Sequence, residues 1–189
     1  MEHEMKAKPD IYDQSPVYES DHFRLRLVSM DDAEELLICY GDPEAQKLFN
    51  ADRCDTDFKF TTLEAMQTYI ACWLDAYRGR GYVRYAIVDR QSGAVVGTTE
   101  IFGGAIGGVR TDYGVLRVDL RHAYETEDAL TELLGICDRF FGDVNTQMFI
   151  TKAIPEAAPR VRALMNAGYT ATPVGDGGLR EHYYMKKSP

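Results

Sequence analysis

The chain has 189 residues, 45% of them hydrophobic and 27% charged. That is ordinary globular composition with enough chain to bury a core without disulfide or metal staples, which excludes extended disorder. No apolar run reaches the ~18–20 residues that cross a bilayer, so no membrane partner is expected. A net charge of −9 repels phosphate backbones, so no nucleic-acid partner is expected, and the acidity suits either a cationic or amine ligand or solubility alone.

The N-terminus is charged and lacks the apolar stretch of a secretory leader. Cys39, Cys54, Cys72 and Cys137 form no CxxC pair. They read as reduced thiols of a cytoplasmic protein. Residues 1–20 are charge-rich and aperiodic, and read as a flexible arm that becomes ordered near Tyr18. A single domain is expected over residues 21–189. Phe23-Arg24-Leu25-Arg26-Leu27 alternates as a half-buried strand does. Ser29 and Asp32 then make a capping-box-like helix start, with Ala33, Leu36, Leu37 and Tyr40 at helical spacing. Gly41-Asp42-Pro43 ends that helix, and a short piece follows over 44–49. Thr61 and Glu64 form a better capping box. Behind it Leu63, Met66, Tyr69, Ile70, Trp73, Leu74 and Tyr77 share one helical face.

Tyr82–Val88 and Ala94–Phe102 read as a hairpin across Asp89–Gly93. The glycine-rich stretch 103–108 precedes a strand rather than opening a helix, so it reads as a hairpin loop and not a dinucleotide fingerprint. In the strand 115–120, Leu116, Val118 and Leu120 share one face, while Arg117 and Asp119 share what reads as a solvent face. A helix is expected over 126–141, a strand over 149–154, and a helix over 156–167 capped by Gly168. Strands 169–174 and 182–186 close the chain. The order βααβββαβαββ indicates an α/β (α+β) mixed sheet rather than a doubly wound one. The four histidines are scattered, so no metal is expected, and no GxSxG elbow or GxxxxGK[ST] loop occurs.

This order resembles the GNAT superfamily of acetyl-CoA-dependent N-acetyltransferases, most of all the branch with ribosomal-protein N-acetyltransferases. The resemblance covers about residues 23–186. It rests on Leu120-Arg121-His122-Ala123-Tyr124 leading into a helix with Glu132, and on Ala163-Leu164-Met165-Asn166-Ala167-Gly168-Tyr169. It implies a mostly antiparallel central sheet flanked by helices, with acetyl-CoA as cosubstrate. It further implies that backbone groups of Val118 to Leu120 hold the pantetheine arm, and that amides around Thr126, Glu127, Asp128 and Ala129 face the pyrophosphate. A helix N-terminus is an anion site on general grounds. The family pattern has Gln or Arg, Gly, and Gly or Ala where this chain has Ala123, Thr126 and Asp128. Glu125, Glu127 and Asp128 place three carboxylates where a polyanion would dock, with Arg121 and Arg160 as the cations available to offset them. In the later helix Ala157, Arg160 and Leu164 stand where the family has Asn, Ser and the Tyr that protonates the CoA thiolate.

Acetyl transfer needs a base for the amine and an acid for the thiolate. Glu100 or Asp119 is the candidate base. Tyr124 is the candidate acid, with Tyr113 and Tyr169 as alternatives. Two functions follow. One is an enzyme that moves acetyl to a primary amine, on a small molecule or a peptide, by direct attack. The other is a non-catalytic domain of the same fold that binds a ligand or protein partner. A homodimer is carried as an expectation of either. On the enzyme reading, changing Thr126 and Asp128 to glycine raises CoA affinity about tenfold or more, or 1.4 kcal/mol.

Overall fold

The computed structural model of the chain describes residues 10–52, 54, 57–103, 113–172 and 181–188. Residues 1–9 of the expected arm, nearly all of the glycine-rich stretch and the turn at 175–178 lie outside the described residues.

Residues 10–20, assigned to the arm from the sequence, are packed against the body. Ile11 and Tyr12 are buried, Arg80 binds Asp10 and Asp13, and the Tyr77 hydroxyl donates to the Ile11 carbonyl at 3.0 Å. Charge-rich sequence hid this because the charges themselves are the anchors. Strand β1 (Tyr18–Glu19) pairs with β2 (Phe23–Leu27). Ser29 N donates to the Asp32 carboxylate at 2.8 Å, and a short 3₁₀ turn leads into α1 (Ala33–Tyr40) and α2 (Pro43–Gln46). Helix α3 (Leu63–Arg78) is the predicted long helix. Its cap is Thr62 rather than Thr61, for the Thr62 hydroxyl accepts from Ala65 N at 3.2 Å.

The hairpin of β3 (Val83–Asp89) and β4 (Val95–Gly103) is followed by β5 (Gly114–Leu120), and a 3₁₀ turn joins that strand to α4 (Glu127–Cys137). A tightened turn separates α4 from α5 (Phe140–Asp143), so the helix expected over 126–141 is two pieces. Then come β6 (Met148–Lys152), α6 (Ala158–Asn166), β7 (Thr170–Ala171) and β8 (Tyr183–Lys187). Gly168 takes φ of 86° just past α6, a left-handed value that suits glycine there.

Among the described residues eight strands form one sheet in the order β1-β2-β3-β4-β5-β6-β8-β7. Every neighbouring pair is antiparallel except β5 and β6. Those two pair in parallel at Gly114–Phe149 and Val115–Ile150, then part while β5 runs on to Leu120. This opens a fork in the middle of the sheet. Both faces of the sheet are covered. Leu116, Val118 and Leu120 pack with Leu130, Leu134, Phe141 and Leu164 on one side. Ala86, Val88 and Val95 pack with Leu36, Tyr40, Ile70 and Trp73 on the other. All seven residues of β5 are therefore buried, and the solvent face expected for Arg117 and Asp119 does not exist. Among the described residues no helix is long and apolar enough to cross a membrane.

Candidate functional site

Beside the fork, on the face covered by α1 and α3, lies a strip of buried charge. Arg84 on β3 stands opposite Glu100 on β4, and Glu100 stands opposite Arg117 on β5. Thr98 and Asp119 are the next cross-strand pair. The Arg84 guanidinium binds the Glu100 carboxylate and donates to the Tyr40 hydroxyl at 2.9 Å and Thr98 Oγ1 at 3.0 Å. It lies 4.2 Å from the Trp73 ring centre. Arg117 reaches the other Glu100 oxygen at 2.5 Å and the Asp52 carbonyl at 2.8 Å. The Asp52 carboxylate in turn holds Lys152 of β6 at 3.0 Å and accepts from the Tyr183 hydroxyl at 3.3 Å. Charges alternate along the strip, which is how so many ions remain buried together. Among the described residues no group of three or more His, Cys, Asp and Glu is placed to hold a metal.

The two candidate bases differ. Both Glu100 oxygens are held by guanidiniums, so neither faces an amine. Asp119 is 1% exposed; its Oδ2 accepts from the Tyr40 hydroxyl at 2.8 Å, while Oδ1 is buried with no partner. Burial pushes its pKa up against the opposing pull of Arg84 and Tyr40. The folded state then binds the Asp119 proton more tightly than the unfolded chain. Stability from this group is present below the ordinary aspartate value and is lost as pH rises through the raised one. Asp119→Asn is therefore expected to flatten this fall. Urea midpoints of both proteins from about pH 4 to 7 read it, and parallel curves would refute it.

Of the three candidate acids, Tyr124 and Tyr169 lie away from the fork, and Tyr113 packs at its base. The Tyr124 hydroxyl donates to the Asp89 carboxylate at 2.6 Å, at the β3–β4 turn, and its ring packs on Phe23. Tyr169 is buried beneath Lys186, and burial raises its pKa far above the ordinary tyrosine value. Tyr113 packs against Val115, Ile150 and Tyr183. Arg121 turns away from the loop, to the Glu35 carboxylate and the Val95 carbonyl.

Arg160 does come to the loop. It is 5% exposed, with its stem among Val118, Leu130, Leu134 and Leu164. Its Nη1 donates to the Val118 carbonyl at 2.8 Å, and its Nε and Nη2 grip the Glu125 carboxylate. Space for about one water molecule remains beside it. Leu120 is buried in the apolar core. The Thr126 hydroxyl caps α4 by accepting from Ala129 N at 3.3 Å. Glu127 binds Arg162 at 2.6 Å and Asn166 at 3.0 Å, while Asp128 is exposed.

The structure thus gathers Glu100 with Asp119, and Val118 with Glu125 and Arg160. Sequence reasoning missed Tyr40, Arg84, Thr98, Asp52 and Lys152, and took Arg117 for a surface residue. A signal was present: Arg84, Glu100 and Arg117 are charges of alternating sign within three successive, mostly apolar strands.

No family model matches the chain, and no curated protein matches its sequence. Solved structures do match in shape. An acetyltransferase of the GNAT family from Bacillus anthracis is 12% identical with a TM-score of 0.67, over 92% of this chain and 99% of that one. A ribosomal-protein-S5-alanine acetyltransferase from Vibrio fischeri is 14% identical with a TM-score of 0.65, over 92% and 97%. RimJ from Mycobacterium smegmatis, in complex with CoA-disulfide, is 17% identical with a TM-score of 0.68, over 88% and 82%. The chain has the fold of the GNAT acetyltransferases, a mixed and mostly antiparallel sheet flanked by helices.

The sequence resemblance implies acyl-CoA, and the residues present do not fit it as they are arranged. The Val118 carbonyl and the Ala129 amide are already taken, by Arg160 and Thr126. Thr126→Gly/Asp128→Gly leaves Arg160 in place, so acetyl-CoA affinity is expected to stay unchanged while about 1–2 kcal/mol of helix-start stability is lost. Calorimetry and melting of this variant check both halves, and a tenfold affinity gain would restore the earlier expectation.

Proposed function

We propose that the chain is a non-catalytic domain of the GNAT fold, acting by binding a ligand or protein partner. One observation carries this: a buried arginine, with its own carboxylate, lies where the resemblance would run the pantetheine arm. Expelling it costs a buried, charge-assisted bond network, and a ligand gains less than it otherwise would by that amount. Titration calorimetry of the wild-type protein with acetyl-CoA at physiological salt tests the reading. No heat up to millimolar ligand is expected, and saturable binding would overturn it.

A second reading is N-acetyl transfer from acetyl-CoA to a primary amine of a small molecule or peptide. The fork between β5 and β6 favours it, together with the Asp119 oxygen left without a partner. On this reading Arg160 must leave the fork before any transfer. Incubation with acetyl-CoA and a panel of amines and peptides, read by intact mass, decides between the two. An acetylated product at enzyme-dependent rate supports the second.

A further inference from the structure

Three side chains of α6 reach two carboxylates at the start of α4. Arg160 grips Glu125, while Arg162 and Asn166 both reach Glu127. The Arg160–Glu125 tie is nearly dry, at 5% and 9% exposure, and a third bond runs from Arg160 to the Val118 carbonyl. That carbonyl lies on β5 beyond the two residue pairs that join it to β6. The strand edge that opens at the fork is thus closed by a side chain instead of a neighbouring strand. A buried carbonyl needs a donor, and here α6 delivers it.

We infer that Arg160 and Glu125 substitute for a bound acyl-CoA within the fold itself. The inference rests on the binding reading above and gives it a physical cause. A pantetheine amide would bring an N–H to the Val118 carbonyl, and Arg160 Nη1 supplies that donor. A pyrophosphate would bring negative charge to the start of α4, and Glu125 supplies that charge one residue before the Thr126 cap. Neither residue meets both needs alone. Arg160 without Glu125 is a buried unpaired cation, and Glu125 without Arg160 is a buried unpaired anion. The three acids of the loop are therefore not a damaged phosphate site. Glu125 and Glu127 are partners of α6, and only Asp128 is left to the helix dipole.

Glu125→Ala/Arg160→Ala removes both long side chains and leaves no unpaired ion. Melting temperatures of this variant and of the wild-type protein, each with and without 1 mM acetyl-CoA, read the inference. The wild-type protein is expected not to respond. The variant is expected to melt lower, and acetyl-CoA is expected to raise its midpoint by about 3 °C or more as the ligand takes the vacated place. A purely structural ion pair would give the lower melting point without the rescue. A folded variant that ignores acetyl-CoA overturns this inference and leaves the binding reading standing. A wild-type protein that responds overturns both. Should that variant fail to fold, Glu125→Gln/Arg160→Met, closer to the native side chains in volume and likewise without an unpaired ion, takes the same melting test with the same two outcomes.

Discussion

Replacing Arg84 by Met is expected to lower stability by about 3–5 kcal/mol, the cost of leaving a buried charge without its partner. For a chain of this size that corresponds to a fall of about 10 °C in Tm. Met has a similar stem, so the loss comes from charge rather than volume. Glu100 would keep Arg117 alone, and Asp119 would keep the Tyr40 hydroxyl. The Trp73 ring would lose its cation, which near-ultraviolet circular dichroism reports separately. Arg84→Lys is expected to fall between the two, because an ammonium cannot spread over Glu100, Thr98 and Tyr40 at once. Adding Asp119→Asn to Arg84→Met is expected to recover part of the loss, because Glu100 then pairs with Arg117 and no carboxylate is left without a cation. If the single change costs under about 1 kcal/mol, the strip is solvated and its partners are interchangeable.

The same strip explains which parts of the molecule could be read from its sequence. The stripe from Leu63 to Tyr77 and the alternation from Phe23 to Leu27 are local patterns, and local patterns set α3 and β2. In β5 the alternation was equally clear, yet its meaning was inverted. Apolar and charged residues alternate both when one face meets water and when it meets opposite charges on neighbouring strands. Only the cross-strand register, Glu100 opposite Arg117 and Thr98 opposite Asp119, separates these cases, and register is a long-range property. The loop before α4 shows the same division. The departure of Ala123, Thr126 and Asp128 from the family pattern was visible, as was the availability of Arg160. That Arg160 would meet Glu125, while Arg121 would go to Glu35, depends on how α6 and α1 lie across the sheet. The sequence reads as a capping box at Thr61, one residue early, and the backbone places the cap at Thr62. Pair geometry, more than residue type, was the missing information at each of these points.

Gly97→Ala is expected to be the most disruptive single-methyl change near the strip. Gly97 lies inside β4, with Ile87 on one side and Leu120 on the other. A Cβ there would stand 2.0 Å from the Asp119 carbonyl oxygen and 2.9 Å from the Leu120 Cα. Both are backbone atoms of a central strand, so no side-chain rotation relieves the contact. Strands β4 and β5 must move apart beside Asp119, which pulls its carboxylate from the Tyr40 hydroxyl and Thr98 from its partners. Overpacking of this kind costs about 1–3 kcal/mol or more, and a rigid backbone neighbour sets the upper end, a loss of roughly 6–12 °C in Tm. The natural control is Gly135→Ala on α4, where a Cβ meets nothing within 4 Å. There the same methyl should stabilise by about 0.5–1 kcal/mol through helix propensity. Opposite signs at the two positions would show that close strand approach, not glycine's chain entropy, governs position 97. A Gly97→Ala protein that melts with the wild type would mean that β4 and β5 are held apart by other contacts, and the strip would then have room to rearrange.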